Sequence, residues 1–178
     1  MSDKTPVAGQ KIKRKFMGNF IDSALPGTKE TAYVRLGKDL EEYNVEMNAN
    51  VDTKNNILGE TSVTLDSYQP QAADPFYAVV GDPMFERLQG IIDERQTLDD
   101  LKTTVVEVHL WESASGSAGS YVAYCEDAII EVSSYGRDTT GYWYFLLLWK
   151  PLLDAEGLPW KQRNLHPTVN KEAVYGKP

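Results

Sequence analysis

The sequence predicts a mainly β protein with one α-helix, its strands antiparallel, with a long protruding hairpin and an extended arm at each end. Three observations carry this. Residues 43–68 alternate apolar and polar side chains along two arms joined by a short tip, the period that a half-buried strand requires. Further alternating or apolar runs occupy residues 103–112, 121–133 and 142–149. A single stretch, residues 82–96, carries helix signals.

Residues 1–28 have no clear period and contain Pro6, Gly9, Gly18, Pro26 and Gly27, so they read as an N-terminal arm. The body spans residues 29–150, and residues 151–178, loosened by Pro159, Pro167 and Pro178, read as a C-terminal arm. Thr31–Leu36 reads as a first strand. From Tyr43 the alternation is unbroken in sequence, with Tyr43, Val45, Met47, Ala49 and Val51 on one side and Asn44, Glu46, Asn48, Asn50 and Asp52 on the other. The return arm sets Thr61, Val63 and Leu65 against Glu60, Ser62, Thr64 and Asp66, so one hairpin face is free of positive charge. Its tip, Thr53–Gly59, carries Lys54, Asn55, Asn56, Ile57 and Leu58, two of them large and apolar where turn residues usually suffice.

Gln69–Asp74 reads as a polar connector and Pro75–Val80 as a short strand. Asp82 suits a helix cap, Pro83 the first helical position and Glu86 the positive end of the helix. Phe85, Leu88, Ile91 and Ile92 form a core stripe, leaving Arg87, Asp93 and Glu94 in water. Thr103–Glu112 alternates, with Thr104, Val106, Val108 and Leu110 facing inward. Ser113–Ser120 is a Ser/Gly-rich loop, and Tyr121–Ser133 follows with Val122, Tyr124, Ala128, Ile130 and Val132 as its apolar side. Tyr142–Trp149 is apolar on both faces, which calls for a second layer or a neighbouring subunit.

At 178 residues with 42% hydrophobic and 25% charged content, the chain reads as one soluble domain with arms, with no membrane span and no signal peptide. The single cysteine, Cys125, excludes an internal disulfide and a Cys-based zinc site, and reads as a packed residue. The net charge of −8 is unevenly placed. Residues 39–138 hold 20 acidic against 5 basic side chains, whereas the flanks hold 6 acidic and 13 basic. An acidic body with basic ends attracts other copies of itself and repels nucleic acid. The cluster Lys11, Lys13, Arg14 and Lys15 is a docking arm on this reading.

Catalytic chemistry finds little footing, and no cofactor or metal site is expected. His109 and His166 lack metal-ligand spacing, and His109 beside Glu107 and Trp111 reads as a surface or interface residue. No phosphate loop, dinucleotide-binding glycine pattern or nucleophile elbow is present. The acid pairs Asp93–Glu94, Asp99–Asp100 and Glu126–Asp127 are sequence neighbours, which diverge on a strand. Trp111, Tyr121, Tyr142, Trp143 and Trp149 suit either a sugar platform or an oligomer interface.

The segments Tyr33–Tyr43, Lys54–Glu60, Gly81–Pro83 and Lys102–Val106, taken together, resemble the major tail (tail tube) proteins of long-tailed phages of Gram-positive bacteria. The likeness spans about residues 30–132, with Asn55–Glu60 its most specific part, and fades after Gly141. It implies an antiparallel β-sandwich or barrel-like subunit with one helix, forming hexameric rings that stack into a hollow tube. DNA passes through such a lumen without specific binding. The resemblance further implies a virion location after assembly in the host cytoplasm, with tape-measure and tail-terminator proteins as partners. On this reading Asn44, Glu46, Asn48, Asn50, Asp52, Glu60, Ser62, Thr64 and Asp66 line the lumen, and Lys54–Leu58 form the inter-ring stacking loop. Lys11, Lys13, Arg14 and Lys15 contact neighbouring copies. A carbohydrate-binding β-sandwich, or the inner tube of a contractile tail or injection machine, are the alternatives.

Overall fold

The structure, a computed structural model, describes residues 6, 8–25, 28, 30–36, 43–113, 120–151 and 169–170, with the backbone alone for 66, 74, 112–113, 120, 151 and 169–170. Among these residues the fold is mainly β with a single α-helix, and the strands are antiparallel. The strands are β1 (Met17–Asp22), β2 (Tyr33–Arg35), β3 (Val45–Glu46), β4 (Ala49–Asn55), β5 (Thr61–Tyr68), β6 (Gln71–Tyr77), β7 (Lys102–Ser113), β8 (Ser120–Arg137), β9 (Trp143–Pro151) and β10 (Val169–Asn170), with helix α1 (Pro83–Glu94) between β6 and β7. One sheet runs β2-β1-β7-β8-β9-β6-β3, with β10 on β8; β4 and β5 form a separate ribbon. Among the described residues the large sheet does not close into a barrel. No helix among them is long and apolar enough to cross a membrane.

The helix begins where its capping chemistry dictates. Asp82 Oδ1 accepts from the backbone N–H of Met84 (2.8 Å) and Phe85 (3.3 Å), while Pro83 occupies a position that needs no donor. Arg95, left-handed at φ 53°, ends it. Met84, Leu88 and Ile91 are buried, and Phe85 and Ile92 pack beside them. These side chains cover one sheet face, meeting Ile21, Val105, Ala128, Ile130, Phe145, Leu147 and Trp149. Trp149 Nε1 donates to Tyr43 Oη at 3.0 Å, tying the chain entering the hairpin to this core. A second apolar cluster, Phe16, Val106, Val108, Leu110 and Ala123, lies on the other face of β7 and β8, as alternation along β7 demands.

Arg87 departs from its expected place in water, being only 4% exposed. Its Nη2 donates to the carbonyls of Lys102 (2.7 Å) and Asp100 (3.4 Å), so the guanidinium anchors the segment that leads from the helix into β7. A long stem among apolar neighbours with Nη2 on backbone oxygens accommodates an arginine next to a core stripe, although its Nε and Nη1 are buried without hydrogen-bond partners among the described residues.

Two expected boundaries also move. Residues 17–22 lie within the anticipated arm but form β1, paired with both β2 and β7, with Ile21 wholly buried. Six residues that include Gly18 and follow a basic cluster are too short a run to announce a strand. The anticipated polar connector 69–74 contributes Gln71–Asp74 to β6, which ends at Tyr77. Pro75 is tolerated because β3 reaches only Gln71 and Ala72, leaving the rest of β6 an edge on that side. Residues 114–119, read as a loop, and most of 151–178, read as an arm, lie outside the described residues; Val169–Asn170 pair with Tyr121 and Ser120 of β8.

β9 meets its two-faced requirement in part. Phe145, Leu147 and Trp149 are buried against the helix side, while Tyr144, Leu146 and Leu148 on the opposite side remain half-buried.

Candidate functional site

The β4–β5 ribbon is the feature that the rest of the fold does not account for. Both strands pack chiefly on each other, and every residue from Asn48 to Leu65 is exposed. Pairing of Val51 with Leu65 and of Thr53 with Val63 gathers Val51, Val63 and Leu65 into one exposed apolar row. The expectation that this row continues the core face from Tyr43 and Val45 does not hold. Tyr43 and Val45 pack on the helix-side core, but the chain then breaks at Met47–Asn48, where Asn48 adopts φ 43°. Asparagine tolerates this left-handed conformation, and its Nδ2 donates to Gln69 O at 3.2 Å across the base of the ribbon. Gln69 N–H donates in turn to Met47 O (3.1 Å) and Asn48 O (3.2 Å).

The break and a bulge between Asn50 and Val51 also divide the anticipated lumen face. Asn44 and Glu46 flank the main sheet, where Gln71 Nε2 donates to Glu46 Oε2 at 3.4 Å. Asn48 lies in the kink, and Asn50 pairs with Ser67 instead of Asp66. Asp52 opposes Thr64 and Lys54 opposes Ser62 on one side of the ribbon. Glu60 sits at the tip and accepts from Asn56 Nδ2 at 2.7 Å; the Asp66 side chain lies outside the described residues. The polar face is not free of positive charge: Lys54 Nζ meets Asp52 Oδ2 at 2.8 Å. Strand β4 runs three residues further than the sequence suggests, which places Lys54 on that face instead of in the tip.

The tip is a turn closed by its own hydrogen bonds. Gly59 N–H donates to Asn56 O (3.0 Å), Asn56 N–H to Glu60 O (3.0 Å), and Asn56 Oδ1 accepts from the N–H of Leu58 (2.9 Å) and Glu60 (3.0 Å). Gly59, at φ 79°, supplies the left-handed residue of a three-residue hairpin loop. The β8–β9 turn repeats this architecture. Gly141 N–H donates to Asp138 O (3.1 Å), Asp138 N–H to Tyr142 O (2.9 Å), and Asp138 Oδ1 accepts from the N–H of Thr140 and Tyr142 (both 2.9 Å), with Gly141 at φ 90°. Hydrogen bonds from the Thr140 hydroxyl, and then from backbone N–H groups, hold the Asp138 carboxyl below the usual carboxylate range. The two loops differ in their middle residues: Thr139–Thr140 in one, Ile57–Leu58 in the other. The turn therefore requires an Asn or Asp and a Gly, and leaves its two middle residues free. Ile57 and Leu58 are not there to make it.

The basic cluster is less detached than an arm. Lys11 and Lys13 are exposed, but Arg14–Phe16 form a 3-10 turn running directly into β1, with Phe16 buried and Lys15 Nζ 5.3 Å from its ring centroid.

The five aromatics that suited a platform do not converge. Trp149 is buried in the helix-side core, whereas Trp111 and Tyr121 border the second cluster. Tyr142 and Trp143 stand at the opposite end of β8, where Trp143 stacks on Tyr135 (centroids 6.4 Å apart) beneath Arg137. Tyr135 lies beyond the strand end that alternation suggested, because β8 continues past a bulge at Val132/Ser134 as far as Arg137.

Glu107 and His109 share one face of β7 with Tyr124 and Glu126 of β8. His109 Nε2 meets Glu107 Oε1, and its ring stacks on Trp111 at 4.2 Å. Burial, then the charges of Glu107 and Asp127, push the Glu126 carboxyl up to about 7, and its Oε1 is buried without a hydrogen-bond partner among the described residues. Among the described residues no group of three or more His, Cys, Asp or Glu side chains is arranged to hold a metal ion.

No protein-family model matches this chain, and no curated protein matches it.

Proposed function

We propose that this chain is a structural tail tube subunit of a long-tailed phage, whose copies form hexameric rings that stack into the conduit for DNA ejection, without catalysis. The observation that carries the reading is the ribbon. A two-stranded hairpin is marginal in water by itself, and an exposed row of Val51, Val63 and Leu65 leading to Ile57 and Leu58 invites a cover. Copies of the same chain supply that cover, and the resemblance around Asn55–Glu60 points to the same assembly. The acidic body favours a conduit that offers phosphates few anchors. The single lysine on the ribbon's polar side is neutralised by Asp52.

Electron microscopy of the purified protein at high concentration tests the reading, with Ile57→Asp/Leu58→Asp as its partner experiment. The parent chain forms rings or tubes, and the double variant stays folded by circular dichroism but does not stack. Burying each residue contributes on the order of 1.5–3 kcal/mol, repeated around a ring. A parent chain that stays monomeric overturns the proposal. The exposed trio Tyr135, Tyr142 and Trp143 favours a second reading, a carbohydrate-binding module. A monomer retained on a glycan array supports that one. The inner tube of a contractile tail shares the same assembly and differs in bearing a sheath.

A further inference from the structure

The sheet register sets two exposed apolar patches at opposite ends of one strand. β6 begins at Gln71, level with the Leu148–Trp149 end of β9, and there receives the ribbon that ends in Ile57 and Leu58. It finishes at Tyr77, level with Tyr144, where Ala78 N–H donates to Trp143 O at 3.0 Å. Immediately beyond, Asp82 N–H donates to Val79 O (3.1 Å), with Gly81 at φ 82° as the third residue of the turn. That conformation needs glycine at the third position and places no demand on the second. The second is Val80, which is 95% exposed. Tyr142, 69% exposed, follows the neighbouring β8–β9 turn, with Trp143 and Tyr135 beside it. Each end of this strand thus leads to large apolar residues on or beside turns whose geometry does not call for them.

We infer that the Ile57–Leu58 tip of one copy docks on the Val80–Tyr142–Trp143 surface of the next, in a head-to-tail contact. The inference rests on the assembly reading above and identifies the receiving surface. Its occupant is a second copy because the patches are chemically alike but occupy opposite ends of the fold. A contact between different patches of the same chain repeats without pairing off, and so builds a stack instead of a closed dimer. Charge follows the same direction. Lys11, Lys13, Arg14 and Lys15 precede β1 at the Val122 end of β8, while half-buried Asp138 lies at its other end, next to exposed Arg137. The step that seats the tip also carries a basic cluster toward the acidic body of the next copy.

Cross-linking between differently labelled chains tests the contact. In a Cys125→Ala background, a Leu58→Cys chain is mixed with a Val80→Cys chain and treated with a short bis-maleimide. The expected product is a covalent heterodimer between positions 58 and 80, and a chain carrying both cysteines gives a ladder of covalent multimers. Leu98→Cys, exposed and outside both turns, replaces Val80→Cys in the control. A 58–80 yield no greater than the 58–98 yield overturns the docking. Imaging the same samples separates this inference from the one beneath it. Hollow tubes with background cross-linking overturn the docking and leave the conduit standing. A 58–80 ladder in particles with no lumen supports the docking and overturns the conduit. Background cross-linking with no particles overturns both.

Discussion

Arg87 illustrates how a single side chain is placed by what its head can reach. Its helix position points inward, and the carbonyls of Asp100 and Lys102 offer acceptors that water no longer supplies. Burial lowers its pKa, an effect opposed by Asp22, but an arginine remains charged throughout the working range. Arg87→Ala removes the donor and leaves Lys102 O without it, so destabilisation of about 1–3 kcal/mol is expected from a urea midpoint. A shift within the error of that midpoint would show that the carbonyls are satisfied otherwise. Glu126 gives the complementary case. Its folded pKa, near 7, lies above the ordinary value of 4.5, so the folded state holds the proton more tightly. Its contribution to stability is fully present below about pH 4.5 and is lost as pH rises through 7. Allowing for partial solvent access, the loss is on the order of 1–2 kcal/mol. Glu126→Gln should flatten stability between those pH values, and an unchanged slope would place the titration elsewhere. Neither residue's environment was legible in sequence. A strand face or helix stripe gives direction, but which oxygens or carboxylates meet there depends on chain segments that register brings together.

At the scale of elements, the helix was legible because its signals are local: a capping aspartate, a proline that needs no donor, and a stripe at helical spacing. Asp82→Ala should cost about 1 kcal/mol, read from thermal unfolding, since two N–H groups lose their acceptor. β7, β8 and β9 were legible from alternation, whereas β1 was hidden by its shortness and β6 by a proline that only an edge accepts. The hairpin was legible as two strands and a tip, but not as a ribbon standing clear of the sheet. Alternation says that two faces differ; it does not say that the apolar one has found its own core. The turn chemistry explains the tip itself. Asn56→Ala removes the acceptor for Leu58 and Glu60 N–H, so exchange of those two amides should quicken in the unassembled chain while the amides of β8 keep their protection. Equal quickening in β8 would mean that ribbon and sheet unfold as one unit.

For the molecule as a whole, the tube proposed above raises the question of which side of the ribbon would face its bore. The apolar side, with Val51, Val63 and Leu65, has most to gain by meeting another chain, which leaves the side with Asp52, Lys54, Ser62 and Thr64 for water and passing DNA. Two pairs, Asp52 with Thr64 and Lys54 with Ser62, share that side, fewer than the set that unbroken alternation suggested. Asp52→Lys with Thr64→Lys adds two lysines next to Lys54 and removes the carboxylate that neutralises it, a change of +3 in charge per subunit. Repeated around a sixfold ring, a size taken from the family resemblance, this turns a wall with few phosphate anchors into one that holds the backbone at many points. Both positions are exposed, and a lost surface ion pair costs about 1 kcal/mol at most, so the subunit should fold and tubes should form. Phage carrying the pair of substitutions are expected to show tails of normal length and to eject DNA slowly or incompletely. Raising the salt should partly restore the rate, because screening shortens the reach of the added charges. Normal ejection from normal-looking particles would reverse the orientation: the apolar row would then face the bore, and the polar side would meet the neighbouring subunit.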